Sequence, residues 1–182
     1  HYKAPVADGE GRGVAAGYWI NAGLQSSATL NVLSDGHLSI LTGSPDIGGS
    51  RASMALMAAE VLGIPFEHIH PQIAATDAVG HCDVTGGSRT TLATGQAVIQ
   101  AAEQCVAEMC RRAAAEWKVE VGVVTWSQGA AHYGEQSLTF EALARRAGTM
   151  GGPLTFSSSL TASSAAPSFG VHICDAKVDK ET

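Results

Sequence analysis

The sequence predicts an α+β fold, in which mixed sheets built around β-hairpins pack against one short and one long helix. Three observations carry this expectation. Runs with strand-like content recur along the chain, and one of them is broken by a turn-forming Asp35-Gly36 pair. Two stretches, 50–62 and 88–117, have helical composition and very different lengths. Strand runs and helix runs intermix without a regular βαβ alternation, which favours α+β.

The elements follow in order. Residues 1–13 read as a loose lead-in. Residues 14–20 and 29–34 have strand content, and Asp35-Gly36 reads as a two-residue hairpin turn before a strand over 37–42. A loop over 43–49 precedes the helix over 50–62, whose stripe is Met54, Met57, Ala58 and Val61. Gly63 stops this helix and Pro65 reinforces the stop. A strand is expected over 68–74 and a loop rich in turn formers over 75–87. The long helix over 88–117 presents Ala97, Ala101, Ala102, Cys105, Met109 and Ala113, a small-residue face suited to close packing on a sheet, with Gly95 as its weak point. Then come a strand over 119–126, a turn at Gln128-Gly129, and a short helix over 140–147 capped by Thr139. Residues 151–168, rich in Gly, Ser, Ala and Pro, read as a long connection, and 171–178 as a last strand. The closing KVDKET reads as the inside of a hairpin whose return strand is missing, as in a piece cut from a longer chain. The whole, 1–182, is read as one fragment of a domain, with two small lobes joined near 120–150 as its internal division.

Composition excludes several function classes. A net charge of −6 lacks the basic face of a phosphate-backbone binder, so no nucleic-acid partner is expected. Aromatic residues make up 5% of the chain, too few for stacking platforms. No apolar run reaches the roughly 20 residues of a bilayer span. The cysteines, Cys82, Cys105, Cys110 and Cys174, form no CxxC pair, so neither a zinc nor an iron–sulfur site is expected, and no metal ligand is assigned. The seven histidines show no HExxH motif or close triad in sequence, and no GxSxG elbow supports Ser/His/Asp chemistry.

One internal echo points to a site. The tetrapeptide GGSR occurs as Gly48, Gly49, Ser50 and Arg51, and again as Gly86, Gly87, Ser88 and Arg89, each where a helix starts. A helix N-terminus presents unpaired N–H groups and about half a positive charge, which attract anions. Glycines let a bulky group approach the backbone, serine caps or binds an oxygen, and arginine supplies a charged fork. Thr90 and Thr91 add hydroxyls to the second loop. Glycine turns capped by serine are the plainer reading of the same residues. Neither loop has the lysine of a Walker A motif, and residues 43–48 do not spell GxGxxG.

Several ordered segments resemble the molybdopterin-binding subunit of the xanthine dehydrogenase/aldehyde oxidase family. GRGVAAGYW (11–19) resembles the start of a second molybdenum-binding domain. TGSPDIGGSRASMALMAAEVLGIP (42–65) is similar to the family's glycine loop and following helix, and ATDAVGHCDVTGGSRTTLATGQAVIQAA (75–102) to its second cofactor loop and helix. SLTFEALARRA and FGVHICDAKVDKET are similar to later landmarks. The resemblance implies a fragment of a larger molybdenum-binding subunit that holds molybdopterin with molybdenum, in the cytosine dinucleotide form. It implies hydroxylation of aldehyde or heteroaromatic substrates with oxygen from water, or a related carbon monoxide or aromatic thioester reaction. Iron–sulfur clusters and FAD are expected only on partner domains or subunits, with the remainder of the large subunit as a further partner. A cytoplasmic location is expected, with the periplasm as the alternative.

The resemblance also implies the cofactor-facing residues: Gly86, Gly87 and Ser88 near the pterin and metal, Arg89, Thr90 and Thr91 close by, and Gly48, Gly49, Ser50 and Arg51 at the first loop. Two departures matter. Gly49 stands where many relatives carry a glutamine whose amide approaches a molybdenum ligand. The family's catalytic glutamate falls beyond residue 182, so no catalytic residue is assigned, and Glu60, Glu135 and Asp77 are not substituted for it. His81, before the second GGSR, is a candidate to line the cleft. The isolated piece is expected to be inactive. The alternatives are a scaffold or partner-interaction module of a degenerate homologue and, resting only on helix-terminal glycines, a nucleotide-phosphate binder.

Overall fold

The computed structural model describes residues 2–162 and 166–181. His1, residues 163–165 of the expected connection, and Thr182 at the end of KVDKET lie outside the described residues. The fold is α+β. In chain order it comprises β1 (Glu10–Trp19), β2 (Leu24–Val32), β3 (Leu38–Thr42), α1 (Ser50–Leu62), β4 (Ile69–Ile73), α2 (Thr90–Trp117), β5 (Thr125–Ser127), β6 (Ala130–Tyr133), β7 (Gln136–Thr139), α3 (Phe140–Arg145), β8 (Leu154–Ala162) and β9 (Ser168–Lys177). Two compact units divide the chain, one of 2–21 with 166–181 and one of 22–162. The segment 120–150 falls inside the larger unit.

The smaller unit is an antiparallel ribbon of β1 and β9, in register from Glu10 opposite Lys177 to Trp19 opposite Ser168. Strand β1 therefore begins within the expected lead-in, and the last strand pairs with β1 along its full length. Arg12 and Asp175 face each other across the ribbon and form an ion pair. Val14, Tyr18, Trp19, Phe169, Val171 and Ile173 are exposed along it.

The larger unit contains a four-stranded sheet in the order β4-β3-β2-β8, with β3 and β4 parallel and the other pairs antiparallel. A parallel pair requires a crossover, which α1 supplies. Alternate residues point to the helices: Ser26, Ala28 and Leu30 on β2, Leu38, Ile40 and Thr42 on β3, and Leu154, Ser158 and Ala162 on β8 are buried. The opposite face carries Thr29 paired with Ser157 and Asn31 paired with Thr155 through side-chain hydrogen bonds. Helix α1 has the predicted bounds and ends at Gly63, whose φ of 69° is left-handed. The core stripe is Met54, Ala55, Ala58 and Leu62, while Met57 and Val61 are half-buried. On α2 all six expected small-face residues are buried.

Gly95 lies within α2 where a Cβ would stand 2.4 Å from Met57 Sδ, so the missing side chain makes room for α1. Three expectations need correction. The turn between β2 and β3 has three residues, because the Leu33 N–H donates to the His37 carbonyl across Ser34, Asp35 and Gly36. The expected strand over 119–126 is a 3-10 turn at Val121–Val123 followed by the short β5. Val121 and Val123 are exposed and no strand among the described residues pairs with them, so their β propensity finds nothing there to pack against. Within the expected connection, residues 154–162 form β8, paired with β2 along its full length. Leu154, Phe156, Leu160 and Ala162 alternate with Ser and Thr there, a strand pattern that the small-residue composition obscures.

A second sheet, β5-β6-β7, is made of two hairpins. Gln128 and Gly129, with φ of 47° and 70°, make the expected two-residue turn between β5 and β6. Thr139 caps α3 by accepting the Ala142 N–H at 3.1 Å. This sheet meets the end of α1 through two glycines. A Cβ on Gly63 would lie 2.5 Å from the Gly129 nitrogen, and one on Gly129 would lie 2.6 Å from the Gly63 oxygen. The Trp126 indole N–H donates to the Leu62 carbonyl beside them. Gly63→Ala, strained in φ and opposed by backbone, should therefore cost about 2–4 kcal/mol in chemical denaturation. Gly122→Ala, with open space at its Cβ, should cost little.

Candidate functional site

The first GGSR loop joins β3 to α1. Its glycines have φ of 108° (Gly48) and 91° (Gly49), which only glycine adopts readily, and a Cβ on either would meet nothing within 4 Å. The loop is organised by Asp46, which the motif reading passed over. One carboxylate oxygen accepts from the Gly48 N–H, the Ser50 N–H and the Ser50 hydroxyl at 2.9–3.1 Å. The other accepts from Arg51 Nε at 2.8 Å. The Arg51 and Ser50 side chains, aided by the backbone N–H groups, hold this carboxyl well below the usual carboxylate range. The positive end of α1 thus already faces a fixed carboxylate.

The second loop precedes α2. Gly86 is exposed, and a Cβ there would meet nothing within 4 Å. Gly87, with φ of 64°, packs so closely that a Cβ would lie 2.8 Å from Ala22 Cβ, and its carbonyl accepts the Ala22 N–H. Ser88, also left-handed, and Thr91 are exposed. Arg89 is 0% exposed and turns inward. Its guanidinium donates to the carbonyls of Gly23 (2.7 Å), Asp83 (2.9 Å) and Gln25 and to the Ser26 hydroxyl (2.5 Å). Asp83 in turn accepts the Gln25 N–H at 2.7 Å. Arg89 therefore fastens its loop to the start of β2 and offers no fork to a ligand. Thr90 is 3% exposed, and its hydroxyl, like that of Thr85, is buried without a hydrogen-bonding partner among the described residues.

Beneath the two loops a chain of hydroxyls connects them. From Arg89 it runs to Ser26, then to Thr94 at 3.0 Å, and then to Ser44 of the first loop at 2.8 Å. The two helix starts meet at a small cavity of about 10 Å³, lined by Thr42, Ser44, Ser50, Arg51, Thr90 and Thr94, together with Met54 and Pro71. Of the ten expected site residues, Ser50, Arg51 and Thr90 thus share one cavity. Gly48, Gly49, Gly86, Ser88 and Thr91 are exposed around the loops, Gly87 faces Ala22, and Arg89 lies inside. His81 lines a separate groove of about 260 Å³ with Gln25, Ser26, Ser159, Leu160 and Thr161, and its Nε2 lies 3.2 Å from Asp83. Glu60, Asp77 and Glu135 are exposed.

The four cysteines are unpaired. Cys82 belongs to the same polar layer, within 3.5–3.8 Å of Ser27 and Thr42 polar atoms. Burial pushes its thiol pKa up, but the Ser27 N–H and the hydroxyls of Ser44, Thr42 and Ser27 outweigh this and bring it to about 7. Burial pushes Cys105 up to about 12.

Sequence reasoning missed Ser26, Ser44, Asp46, Asp83 and Thr94. Only Asp46 carried a local signal, an acidic residue four before the Ser50 that opens α1. Two tests follow from the geometry. Arg89→Met, which strands three carbonyls, should cost at least about 3 kcal/mol in chemical denaturation, whereas Arg51→Met on the exposed rim should cost under about 1 kcal/mol. Iodoacetamide labelling of Cys82 should rise with a midpoint near pH 7, because only the thiolate reacts, while Cys105 stays unlabelled in the folded protein.

The model of the molybdopterin cofactor-binding domain matches residues 4–182. Xanthine dehydrogenases of Drosophila pseudoobscura pseudoobscura and Drosophila subobscura are 38% and 40% identical over 81 residues, 44% of this chain and 6% of theirs. A Cu,Mo carbon monoxide dehydrogenase superposes with a TM-score of 0.83 at 23% identity, over 91% of this chain and 24% of that one. Quinoline 2-oxidoreductase from Pseudomonas putida 86 superposes with a TM-score of 0.78 at 18% identity, over 92% and 25%. The chain spans about a quarter of those solved chains and a much smaller share of the dehydrogenases. No helix among the described residues is long and apolar enough to cross a membrane. With a family model matched from residue 4 to residue 182, the chain belongs to the molybdopterin cofactor-binding domain family.

Proposed function

We propose that this chain is the cofactor-binding portion of a larger subunit of a molybdenum-dependent oxidoreductase of the xanthine dehydrogenase/aldehyde oxidase type. The observation that carries this reading is the match of the molybdopterin cofactor-binding domain model to residues 4–182, and beside it two glycine-opened helix starts approach each other across a layer of hydroxyls. Their residues fit an anionic, bulky group unequally. At the second loop the exposed Gly86 backbone leaves room for close approach, and Ser88 and Thr91 offer exposed hydroxyls at the positive end of the long α2. At the first loop Asp46 already occupies the helix start, so Gly48 and Gly49 contribute open backbone, and Arg51 supplies a partly neutralised cation. The second loop is thus the principal holder of the anionic part, and the first bounds it.

When bound, molybdopterin, proposed in its cytosine dinucleotide form, supplies the redox chemistry for hydroxylating aldehyde or heteroaromatic substrates with oxygen from water, or for a related reaction of carbon monoxide or aromatic thioesters. The chain's own residues do three things. Gly86, Ser88 and Thr91 present donors to the anion. Arg89 keeps their loop in place from behind through Gly23, Gln25 and Ser26. The Ser26–Thr94–Ser44 chain holds the two helix starts in register. Gly49 brings no side-chain amide to this site, so any tuning of the metal from the first loop comes through backbone. Partner domains or subunits with iron–sulfur clusters and FAD complete the electron path. The exposed apolar residues of the β1–β9 ribbon suit burial against the remainder of the subunit. A cytoplasmic location is proposed, with the periplasm as the alternative.

A second reading, a scaffold without cofactor, is favoured by one observation: Asp46 satisfies the first loop from within. One measurement separates the two. The complete subunit, produced with cofactor-maturation machinery, is expected to contain molybdenum and pterin, and folded protein lacking both would establish the scaffold reading. Gly86→Val, which has free space around its Cβ within the chain, should keep the melting temperature while lowering molybdenum and pterin content at least tenfold. Unchanged content in that variant would remove the second loop from the site.

A further inference from the structure

The register of β3 and β4 brings His37 beside His68 and His70, some 30 residues further along the chain. Leu38 pairs with Ile69 and Ser39 with His70 in this parallel pair, so one step earlier His37 falls beside His68. Their rings stack with centroids 4.8 Å apart and an interplanar angle of 18°. That spacing equals the separation of neighbouring strands, about 4.7–4.9 Å. His70, two residues beyond His68, returns to the same face of the edge strand β4, its ring centroid 5.0 Å from that of His37. His37 Nδ1 and His70 Nε2 approach to 2.8 Å. The cluster lies on the sheet face turned away from α1 and α2, with His68 and His70 exposed and His37 half-buried.

Two neutral imidazoles this close share a single proton, one ring donating and the other accepting. The same pair of nitrogens suits a metal ion. Two imidazole nitrogens bound at about 2.0–2.1 Å, at angles between a right angle and the tetrahedral angle, stand about 2.9–3.4 Å apart. The observed 2.8 Å therefore needs to open by only a few tenths of an ångström. Imidazole is a favoured ligand of zinc, copper and nickel. His68, stacked on His37, braces that ring. Asp35 stands beside the pair, its carboxylate accepting the His37 backbone N–H at 3.0 Å.

We infer that His37 Nδ1 and His70 Nε2 form a surface chelate for a divalent transition-metal ion of the zinc, copper and nickel class. Water completes the coordination, because no group of three or more His, Cys, Asp or Glu side chains among the described residues is arranged to enclose a metal. On binding, the ring that held the shared proton carries one on its other nitrogen instead, so both rings stay neutral, and the metal ties the β2–β3 turn to edge strand β4. The site is separate from the glycine loops and does not depend on the cofactor reading.

The test uses the complete protein. Zn²⁺ alone is titrated calorimetrically, and Cu²⁺ is followed by pulsed EPR, which counts coordinated imidazoles. The expected result is one saturable site with two imidazole nitrogens, at least tenfold weaker in His37→Gln and in His70→Gln, and within twofold of the parent in His132→Gln. Melting temperatures without metal verify folding, and His70→Gln alters an exposed edge position, so it reads the site even if His37→Gln proves unstable. Parent-like Zn²⁺ affinity in His70→Gln, a Cu²⁺ signal without two imidazoles in the parent, or an equal loss in His132→Gln would overturn the inference.

Discussion

The fully buried guanidinium of Arg89 is the constraint on which the rest of the larger unit depends. An unpaired cation in a protein interior is costly, so its surroundings must supply acceptors. Here they are the carbonyls of Gly23, Gln25 and Asp83 and the Ser26 hydroxyl. These oxygens belong to the beginning of β2 and to the loop before α2, segments some 60 residues apart in sequence. Meeting one buried charge therefore sets where the long helix starts relative to the sheet. It also leaves the loop's outer edge, Gly86, Ser88 and Thr91, facing solvent.

From that anchor, polarity continues inward as an ordered layer. Ser26 passes the network to Thr94, and Thr94 to Ser44, so the N-terminal part of α2 and the loop before α1 are joined by hydroxyls. Thr42 and Ser27 extend the layer to Cys82. Deeper in the same unit the contacts become aliphatic, with Leu30, Leu38, Ile40, Met54, Leu62 and Val98 enclosed by the small face of α2. A polar layer beneath a pair of helix starts suits an anion-holding surface, because hydroxyls and amides stay pre-oriented while the apolar layer below keeps the helices rigid.

The two GGSR copies illustrate how equal sequences acquire unequal roles. In the first, Arg51 lies on the surface and pairs with Asp46, and in the second, Arg89 is buried. The tetrapeptide specifies backbone freedom and a helix start in both cases. It does not specify where the arginine goes, since that is decided by which oxygens the neighbouring strand presents. The histidines make the same point from the other side: His68 and His70 share a strand face by their spacing, but His37 lies some 30 residues away in sequence, and only strand register brings it within reach of them.

Local chemistry by itself determined the α+β class, the bounds of α1 with its Gly63 stop, the core face of α2, the Gln128-Gly129 turn and the Thr139 cap, because each rests on periodicity or on one residue's backbone preference. The ordered family motifs likewise identified the molybdopterin cofactor-binding domain family. Tertiary structure alone decided that a Ser-rich stretch becomes strand β8, that Val121 and Val123 do not extend a strand, and that β9 pairs with β1. It alone turned Arg89 inward and assembled Ser26, Ser44 and Thr94 beneath the loops. The reason is common to all of these. Strand pairing and the satisfaction of buried polar groups join residues far apart in the chain, and no local pattern records which distant partner will meet them.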